Sequence, residues 1–233
     1  MAKRKKKKKK RKRSVQRRSA SFAARSNDAS VLSDWSLDGK VPTDILRDYQ
    51  VHEWKHAAAI LQGDYPGELY DIVQVLRDFR IDRKHLLEGG GGKTKMAGAL
   101  ERAFADRGWV PRRWNTAIVL DETRRDSPTH EVDCVKNRVA LEIEWSNKDP
   151  FYDRDLNNFR LLFDLRAISV GVIITKSDEL AGLFNELGIW SKYGTTTTWM
   201  SKLLPRIEGG GGGGCPILVF GIRRSRCNVP ADE

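Results

Sequence analysis

Three carboxylates near the middle of the chain have a spacing suited to binding a cation. Glu142 follows Asp133 by nine positions, and Glu144 comes two positions later. Side chains alternate between the two faces of a strand, so Glu142 and Glu144 share one face if residues 139–145 form a strand. Two acids on one face repel each other, so a cation is expected between them unless that face is simply solvated. Oxygen ligands without His or Cys favour Mg²⁺, or Mn²⁺ as a substitute, over Zn²⁺.

A β-hairpin is the element that would bring Asp133 to the two glutamates. Apolar and polar residues alternate through residues 139–146, as in a strand with one buried face, and residues 132–135 form a preceding apolar run. Lys136–Asn137 suits a two-residue turn because Asn tolerates a positive φ. The resulting register places Asp133 diagonal to Glu142, with Cβ atoms roughly 7–8 Å apart.

These residues resemble the active site of PD-(D/E)xK nucleases, and most closely the BglII-type branch of type II restriction endonucleases. The resemblance rests on an acid, a Glu-x-Glu pair and a following Ser-Asn pair, here Asp133, Glu142, Glu144, Ser146 and Asn147. Glu144 takes the position of the usual Lys, which implies a metal-activated water as the nucleophile. The similarity extends over about residues 45–222.

The resemblance implies a Mg²⁺-dependent enzyme that hydrolyses phosphodiester bonds in both strands of duplex DNA. Asp133 and Glu142 would hold the metal, while Glu144 would orient or deprotonate the attacking water. A homodimer is implied because a palindromic target matches twofold protein symmetry. The resemblance also implies a target with a GATC-like centre. A cognate DNA methyltransferase acting on the same site is a further expected partner.

Candidate DNA contacts follow the hairpin and occupy a Thr-rich segment. In BglII-type enzymes the position of Ser146 and Asn147 faces the major groove, and Asn reads adenine through N6 and N7. Lys148 continues this segment. Residues 193–206 also resemble these enzymes, and hydroxyls at a helix start suit phosphates or base edges. The candidates there are Thr196, Thr197, Lys202 and Arg206. The alternatives are an ordinary Asn turn and a capped surface helix with two solvated cations.

A helix before the catalytic strands supplies a candidate for a fourth acid. Residues 95–107 show helical periodicity, and nucleases of this kind often use an acid from such a helix. Glu101 is the candidate. The alternative is a solvated side chain beside Arg102.

The order of elements predicts an α/β fold, a mixed β-sheet flanked by helices as in PD-(D/E)xK nucleases. The predicted helices span residues 43–61, 67–79, 95–107, 155–166 and 178–187; the predicted strands include 170–175 and 215–222, and residues 121–129 are predicted as a polar loop. The predicted divisions are a disordered basic tail (1–30), an N-terminal helical part (31–88), a Gly-rich linker (89–92), a nuclease core (93–225) containing the catalytic hairpin (130–147), and a C-terminal tail (226–233).

The positive charge of the protein is concentrated at the N-terminus. The net charge is +11, but residues 1–26 contain 14 Lys and Arg and no acid. The remainder therefore has 28 basic against 31 acidic residues, a net charge of −3. Such a segment is too polar and self-repelling to pack, and it suits a polyanion-binding arm. A solvated tail and a nuclear address are the alternatives.

The cysteines and the hydropathy pattern predict in which cellular compartment the protein acts. Three cysteines without a Cys-x-x-Cys pair argue against a disulfide framework and for a reducing cytoplasm, or for the nucleus in a eukaryotic source. No run approaches the roughly eighteen apolar residues of a membrane span, so no membrane partner is expected.

Two other classes of function compete with the nuclease. His52-Glu53-Trp54-Lys55-His56 matches the His-Glu-x-x-His pattern of zinc peptidases, which places two imidazoles one helical turn apart. A third ligand in an extended motif is missing, which weighs against a zinc metallopeptidase. The second alternative is a non-catalytic DNA-binding protein.

Overall fold

A computed structural model describes residues 35–37, 39–87 and 94–229 of the protein. The predicted basic tail and Gly-rich linker lie outside these residues. The strands are β1 (Trp35–Ser36), β2 (Val41–Pro42), β3 (Tyr49–Trp54), β4 (Ile81–Asp82), β5 (Val110–Arg112), β6 (Ala117–Leu120), β7 (Thr123–Asp126), β8 (Val132–Lys136), β9 (Val139–Ile143), β10 (Val170–Lys176), β11 (Ile217–Ile222) and β12 (Cys227–Asn228). The helices are α1 (Thr43–Asp48), α2 (Ala57–Asp64), α3 (Pro66–Asp78), α4 (Arg83–Leu87), α5 (Lys95–Ala105), α6 (Phe151–Asp164), α7 (Leu180–Glu186), α8 (Trp190–Tyr193) and α9 (Met200–Glu208).

Six strands form the main sheet in the order β3-β11-β10-β9-β8-β5. The inner strands β9, β10 and β11 are parallel, whereas β3, β8 and β5 run antiparallel to their neighbours. Every residue of β10 is buried, as expected for the predicted central strand. The predicted mixed sheet flanked by helices is confirmed.

Two apolar layers cover the faces of this sheet. Val172 and Ile174 of β10 face the layer formed by α2, α3, α5 and α7, while Ile173 faces α6 and α9. A Cβ atom on Gly171 would come within 2.5 Å of the Phe159 ring. Glycine is therefore needed for α6 to approach the sheet closely. This close packing places Asp155, in the second turn of α6, near the end of β9.

The helix predicted over residues 43–61 is wrong. The chain forms α1, then strand β3, then α2, and β3 pairs antiparallel with β11 along its whole length. Lys55 and His56 have φ angles of +52° and +58°, which a continuous helix does not allow. Pairing with the edge of the sheet has overridden the local helical pattern.

Because residues 49–54 form strand β3, the His-Glu-x-x-His pattern does not have the helical geometry of a zinc peptidase. His52 lies on β3 and His56 in the following turn, so the two imidazoles do not share a helical face. The Glu53 carboxylate accepts a hydrogen bond from the Ala58 backbone N–H (2.9 Å) at the start of α2. Glu53 therefore acts as a helix cap.

Residues 121–129 were predicted as a polar loop, but β6 and β7 form a hairpin over residues 117–126. Asp121 has φ +52° at its turn. The charged sequence of β7 has no apolar alternation, which is why the pattern does not predict a strand. Ile118, Val119 and Leu120 are largely exposed on the hairpin.

Arg226, the first residue of the predicted C-terminal tail, is buried. Its guanidinium donates to the Asp48 carboxylate (3.0 Å) and to the carbonyl oxygens of Leu76 and Arg77 (both 2.7 Å). These contacts satisfy carbonyls at the C-terminus of α3. The division into domains stays a prediction. Of the described helices, none is long and apolar enough to cross a membrane.

Candidate active site

The predicted catalytic hairpin is formed by β8 and β9. Asn137 has the expected positive φ (+50°), and its side-chain amide donates a hydrogen bond to Glu68. However, Lys136 pairs with Val139, so the turn consists of Asn137 and Arg138. The predicted turn at Lys136–Asn137 is wrong by one residue, because Asn tolerates the left-handed conformation at either turn position.

The corrected register places Asp133 directly across from Glu142 and not diagonal to it. The Asp133 N–H donates to Glu142 Oε2 (3.3 Å), and the Ile143 N–H donates to Asp133 Oδ2 (2.9 Å). Each carboxylate therefore has one oxygen fixed by the opposite strand. Glu142 is only 1% exposed, and its Oε1 has no hydrogen-bond partner among the described residues. That oxygen is suitably placed to bind a cation.

The electrostatics of Glu142 also fit a divalent ion. Burial, followed by the charges of Asp155 and Asp133, raises the pKa of Glu142 well above its usual value. A cation beside these carboxylates would offset the repulsion between them. The residues therefore fit the divalent ion that the spacing of Asp133 and Glu142 predicts.

Glu144 is buried just after β9 and interacts with the neighbouring Asp155. Burial first, and then Asp155, raise the pKa of Glu144 to about 9. Glu144 Oε2 and Asp155 Oδ2 have no donor within the described parts of the chain while both groups are ionised. A proton held on Glu144 supplies the missing hydrogen bond between the two carboxyl groups.

Two groups near Glu144 favour its ionised form. The Asn147 side-chain amide donates to Glu144 Oε1 (3.1 Å), and Arg154 Nη2 lies 3.5 Å from the same oxygen. Both contacts lower the pKa of Glu144 against the larger effect of burial. Asn147, predicted as a base-reading residue, is thus also bonded to a predicted catalytic acid.

Asp155 and His130 were not among the site residues predicted from the sequence. A nitrogen of His130 and oxygens of Glu142 and Asp155 lie within 4.8 Å of one another. Burial raises the pKa of Asp155, while burial and then the Arg154 charge lower that of His130. Asp155 had a detectable signal, because it falls within the apolar stripe of α6 between the buried Tyr152 and Phe159. His130 had none, since a His before a strand has no periodic signature.

Glu101 and Asp133 line a common cleft of about 200 Å³. Thr94 and Ala97 of the α5 region form one wall, and Ser146 and Asn147 form part of the other. The fold therefore brings the predicted fourth acid to the Asp133 side of the hairpin, together with the predicted base-reading pair.

The fold and site agree with a comparison against known families. A family model described as restriction endonuclease BglII/BglIII matches residues 49–222, three quarters of the chain. The chain belongs to this family. A comparison with curated proteins found no match. As a BglII/BglIII restriction endonuclease, the protein is a type II site-specific deoxyribonuclease that binds duplex DNA. Restriction endonucleases generally use divalent metals, and His130, Glu142 and Asp155 form a group that could hold such an ion.

The exit from the catalytic strand forms a continuous surface with the Thr-rich segment in this BglII/BglIII family member. Lys148 is exposed and pairs with Thr197 through an isolated bridge. Thr196 is exposed, and its carbonyl accepts the Asp149 N–H (3.1 Å). Ser146 and Asn147 are partly exposed at the cleft. These residues are accessible to a DNA duplex.

The other three predicted DNA contacts form hydrogen bonds or ion pairs within the protein. The Thr197 hydroxyl donates to the Tyr193 carbonyl (2.8 Å) and is buried. Lys202 bonds to carbonyls of the Thr-rich segment and forms an ion pair with Asp149 (3.2 Å). Arg206 pairs with Asp153 (2.9 Å). Their roles in binding DNA stay predictions, and their present contacts hold the segment against α6 and α9.

Lys176 is a further buried cation that the sequence reasoning did not single out. It donates a hydrogen bond to the Trp145 carbonyl oxygen, directly before Ser146. Its Nζ lies 5.2 Å from the Trp145 ring centroid and 5.0 Å from that of Trp199. These contacts fix the point at which the chain leaves the catalytic strand.

Proposed function

We propose that this restriction endonuclease requires Mg²⁺ and cleaves both DNA strands at a short palindrome with a GATC-like centre. The observation that supports the metal requirement is the buried oxygen of Glu142 beside Asp133, which has no hydrogen-bond partner among the described residues, each carboxylate being oriented by a backbone N–H of the opposite strand. Asp133 and Glu142 would hold the ion, and Mn²⁺ would substitute for it. When bound, Mg²⁺ neutralises charge on the scissile phosphate and lowers the pKa of nearby water.

The proton of the attacking water passes to Glu144 in this proposal. The water oxygen bonds to phosphorus while the phosphorus–oxygen bond to the departing strand end breaks. Glu144 must be ionised to accept this proton, although burial favours its neutral form. Asn147 and Arg154 stabilise the ionised carboxylate, and a nearby cation adds to their effect. Glu101 lines the cleft from α5 and would position the water.

The cleft and its rim would bind the duplex. Ser146 and Asn147 would contact base edges in the major groove, while Lys148 and Thr196, both exposed, would contact phosphates. A palindromic target is served by two symmetric copies of the chain, so we infer a homodimer. A DNA methyltransferase acting on the same site would protect the host, and we infer that the enzyme acts in the cytoplasm.

Incubation of the purified protein with unmethylated phage DNA and Mg²⁺ tests this function. Wild type should produce discrete bands, and Glu142→Ala should produce none because the ion loses its central ligand. Glu122→Ala removes an exposed acid and should retain the wild-type pattern.

One outcome would contradict the proposal, and another would show that the protein preparation is impure. DNA that is bound by wild type but left intact with Mg²⁺ would favour the non-catalytic DNA-binding alternative. Smearing by all three proteins would indicate a contaminating nuclease.

A further inference from the structure

His130 offers a nitrogen ligand next to the catalytic acids, and the proposed nuclease reaction gives it no role. The residue precedes β8, and its carbonyl accepts a hydrogen bond from the Asn158 side chain of α6 (3.4 Å). This contact joins the segment before the hairpin to the helix that carries Asp155. Three separate elements therefore converge on one point: the start of β8, the end of β9 and the second turn of α6.

In each of the Glu142 and Asp155 carboxylates, one oxygen accepts hydrogen bonds and the other is available to a ligand. Asp155 Oδ1 accepts two hydrogen bonds from Arg154 (2.8 and 2.9 Å), and when Glu144 is ionised Asp155 Oδ2 has no donor among the described residues. Glu142 Oε2 accepts the Asp133 N–H, whereas Glu142 Oε1 has no hydrogen-bond partner in the described parts of the chain. Both side chains are at most 1% exposed. Buried carboxylate oxygens without partners are costly unless a cation or a proton satisfies them.

The three groups lie near one another but not yet at coordination distance. Ligand atoms about 2.1 Å from a metal lie at most about 4.2 Å apart, whereas these nitrogen and oxygen atoms lie within 4.8 Å of one another, so the side chains must move slightly towards a bound ion. The hydrogen bonds from Arg154 and from the Asp133 backbone orient the two carboxylates, as outer-shell partners do in metal sites. Small side-chain adjustments would complete the coordination.

We propose that His130, Glu142 and Asp155 bind a divalent transition-metal ion at a position separate from the Asp133 position. The imidazole nitrogen sets the class of ion, because Mn²⁺ and later first-row ions accept nitrogen ligands more readily than Mg²⁺ does. The inference rests on the proposed function only in that Glu142 is shared by both positions. Mg²⁺ would occupy the all-oxygen position beside Asp133.

Electron paramagnetic resonance of the full chain with Mn²⁺ alone tests the site without relying on activity. Coupling of the bound Mn²⁺ to the ¹⁴N nucleus of an imidazole should be present in wild type and absent in His130→Ala. Mn²⁺ affinity at that position should fall about tenfold or more in His130→Ala. His85→Ala removes an imidazole on α4 and should keep the coupling. Asp133→Asn should also keep it, because Asp133 is not part of this set of ligands.

Other results would overturn the site. Absence of ¹⁴N coupling in wild type would mean that no imidazole binds the ion, and coupling that survives His130→Ala would place the nitrogen ligand elsewhere. Loss of coupling in Asp133→Asn would merge the two positions into one. His130→Gln, with circular dichroism and a melting curve, shows whether a loss reflects misfolding. Mg²⁺-dependent cleavage by wild type is scored separately, so either proposal can fail while the other stands.

Discussion

Replacing Glu144 by Gln should stabilise the protein in EDTA while it impairs cleavage. Glu144 is buried, and its pKa is raised from 4.5 to about 9, first by burial and then by Asp155. The folded protein therefore retains a proton that the unfolded chain releases above pH 4.5. Stability from this group is fully present below pH 4.5 and is lost as pH rises towards 9. The amide introduced by Glu144→Gln stays neutral and can still donate a hydrogen bond to Asp155.

The size of the effect follows from the shift in pKa. Wild type loses stability from pH 4.5 upwards, so at pH 7 the loss covers 2.5 pH units. At about 1.4 kcal/mol per unit, the free energy of unfolding falls by about 3 kcal/mol. At pH 9 the loss reaches about 6 kcal/mol, and at pH 5 it is below about 1 kcal/mol. Urea unfolding in EDTA at these three values of pH should show this widening gap between Glu144→Gln and wild type. Glu122→Gln alters an exposed acid and should show no gap.

A gap of constant size at all three values of pH would refute the reasoning, because it would show that Glu144 is already ionised in the folded protein. Addition of Mg²⁺ at pH 7 supplies a second check. A cation near Glu144 favours its ionised form, so Mg²⁺ should stabilise wild type more than Glu144→Gln and narrow the gap.

Three further predictions concern the tail, the reading segment and the buried lysine. Deletion of residues 1–26 removes 14 positive charges, so DNA binding should weaken and its salt dependence should become less steep, with cleavage retained; an unchanged slope in binding titrations would contradict this. Asn147→Ala removes a hydrogen bond that lowers the pKa of Glu144, so its pH–rate profile should shift to higher pH by more than that of Ser146→Ala. Equal shifts in the two variants would show that Asn147 does not affect the ionisation of Glu144 during the reaction. Burial lowers the pKa of Lys176 to about 7, below the 10.5 of the unfolded chain. The free energy of unfolding of wild type, measured in urea, should therefore rise by up to about 5 kcal/mol relative to that of Lys176→Met between pH 7 and 10.5. A difference between the two proteins that does not change with pH would contradict the lowered pKa.

The hairpin was predictable because its signals are local. Alternation along β9, the spacing from Asp133 to Glu142 and the tolerance of Asn137 for positive φ all lie within fifteen residues. The register was not predictable to one residue, since Asn suits both positions of a two-residue turn. The contact of Asn137 with Glu68, which lies 69 positions away, is visible only in the fold.

Strand β3 shows the opposite case, in which a distant partner determines local structure. Residues 49–54 have apolar spacing compatible with a helix, yet they pair with β11, more than 160 positions later. The sequence near β3 contains no information about that partner. The same limit applies to Asp155 and His130, whose approach to Glu142 depends on how closely α6 packs over Gly171.

The hydrogen bond between Asn147 and Glu144 connects the proposed reading of bases to the proposed chemistry. An Asn side chain has two N–H groups and one carbonyl oxygen, and only one N–H is used by Glu144. The remaining N–H and the oxygen are the pair that reads adenine through N7 and N6. Asn147 can therefore hold a base and the catalytic carboxylate at once. A base that cannot accept and donate in this geometry would leave that N–H and oxygen of Asn147 unpaired, so an incorrect site should bind more weakly.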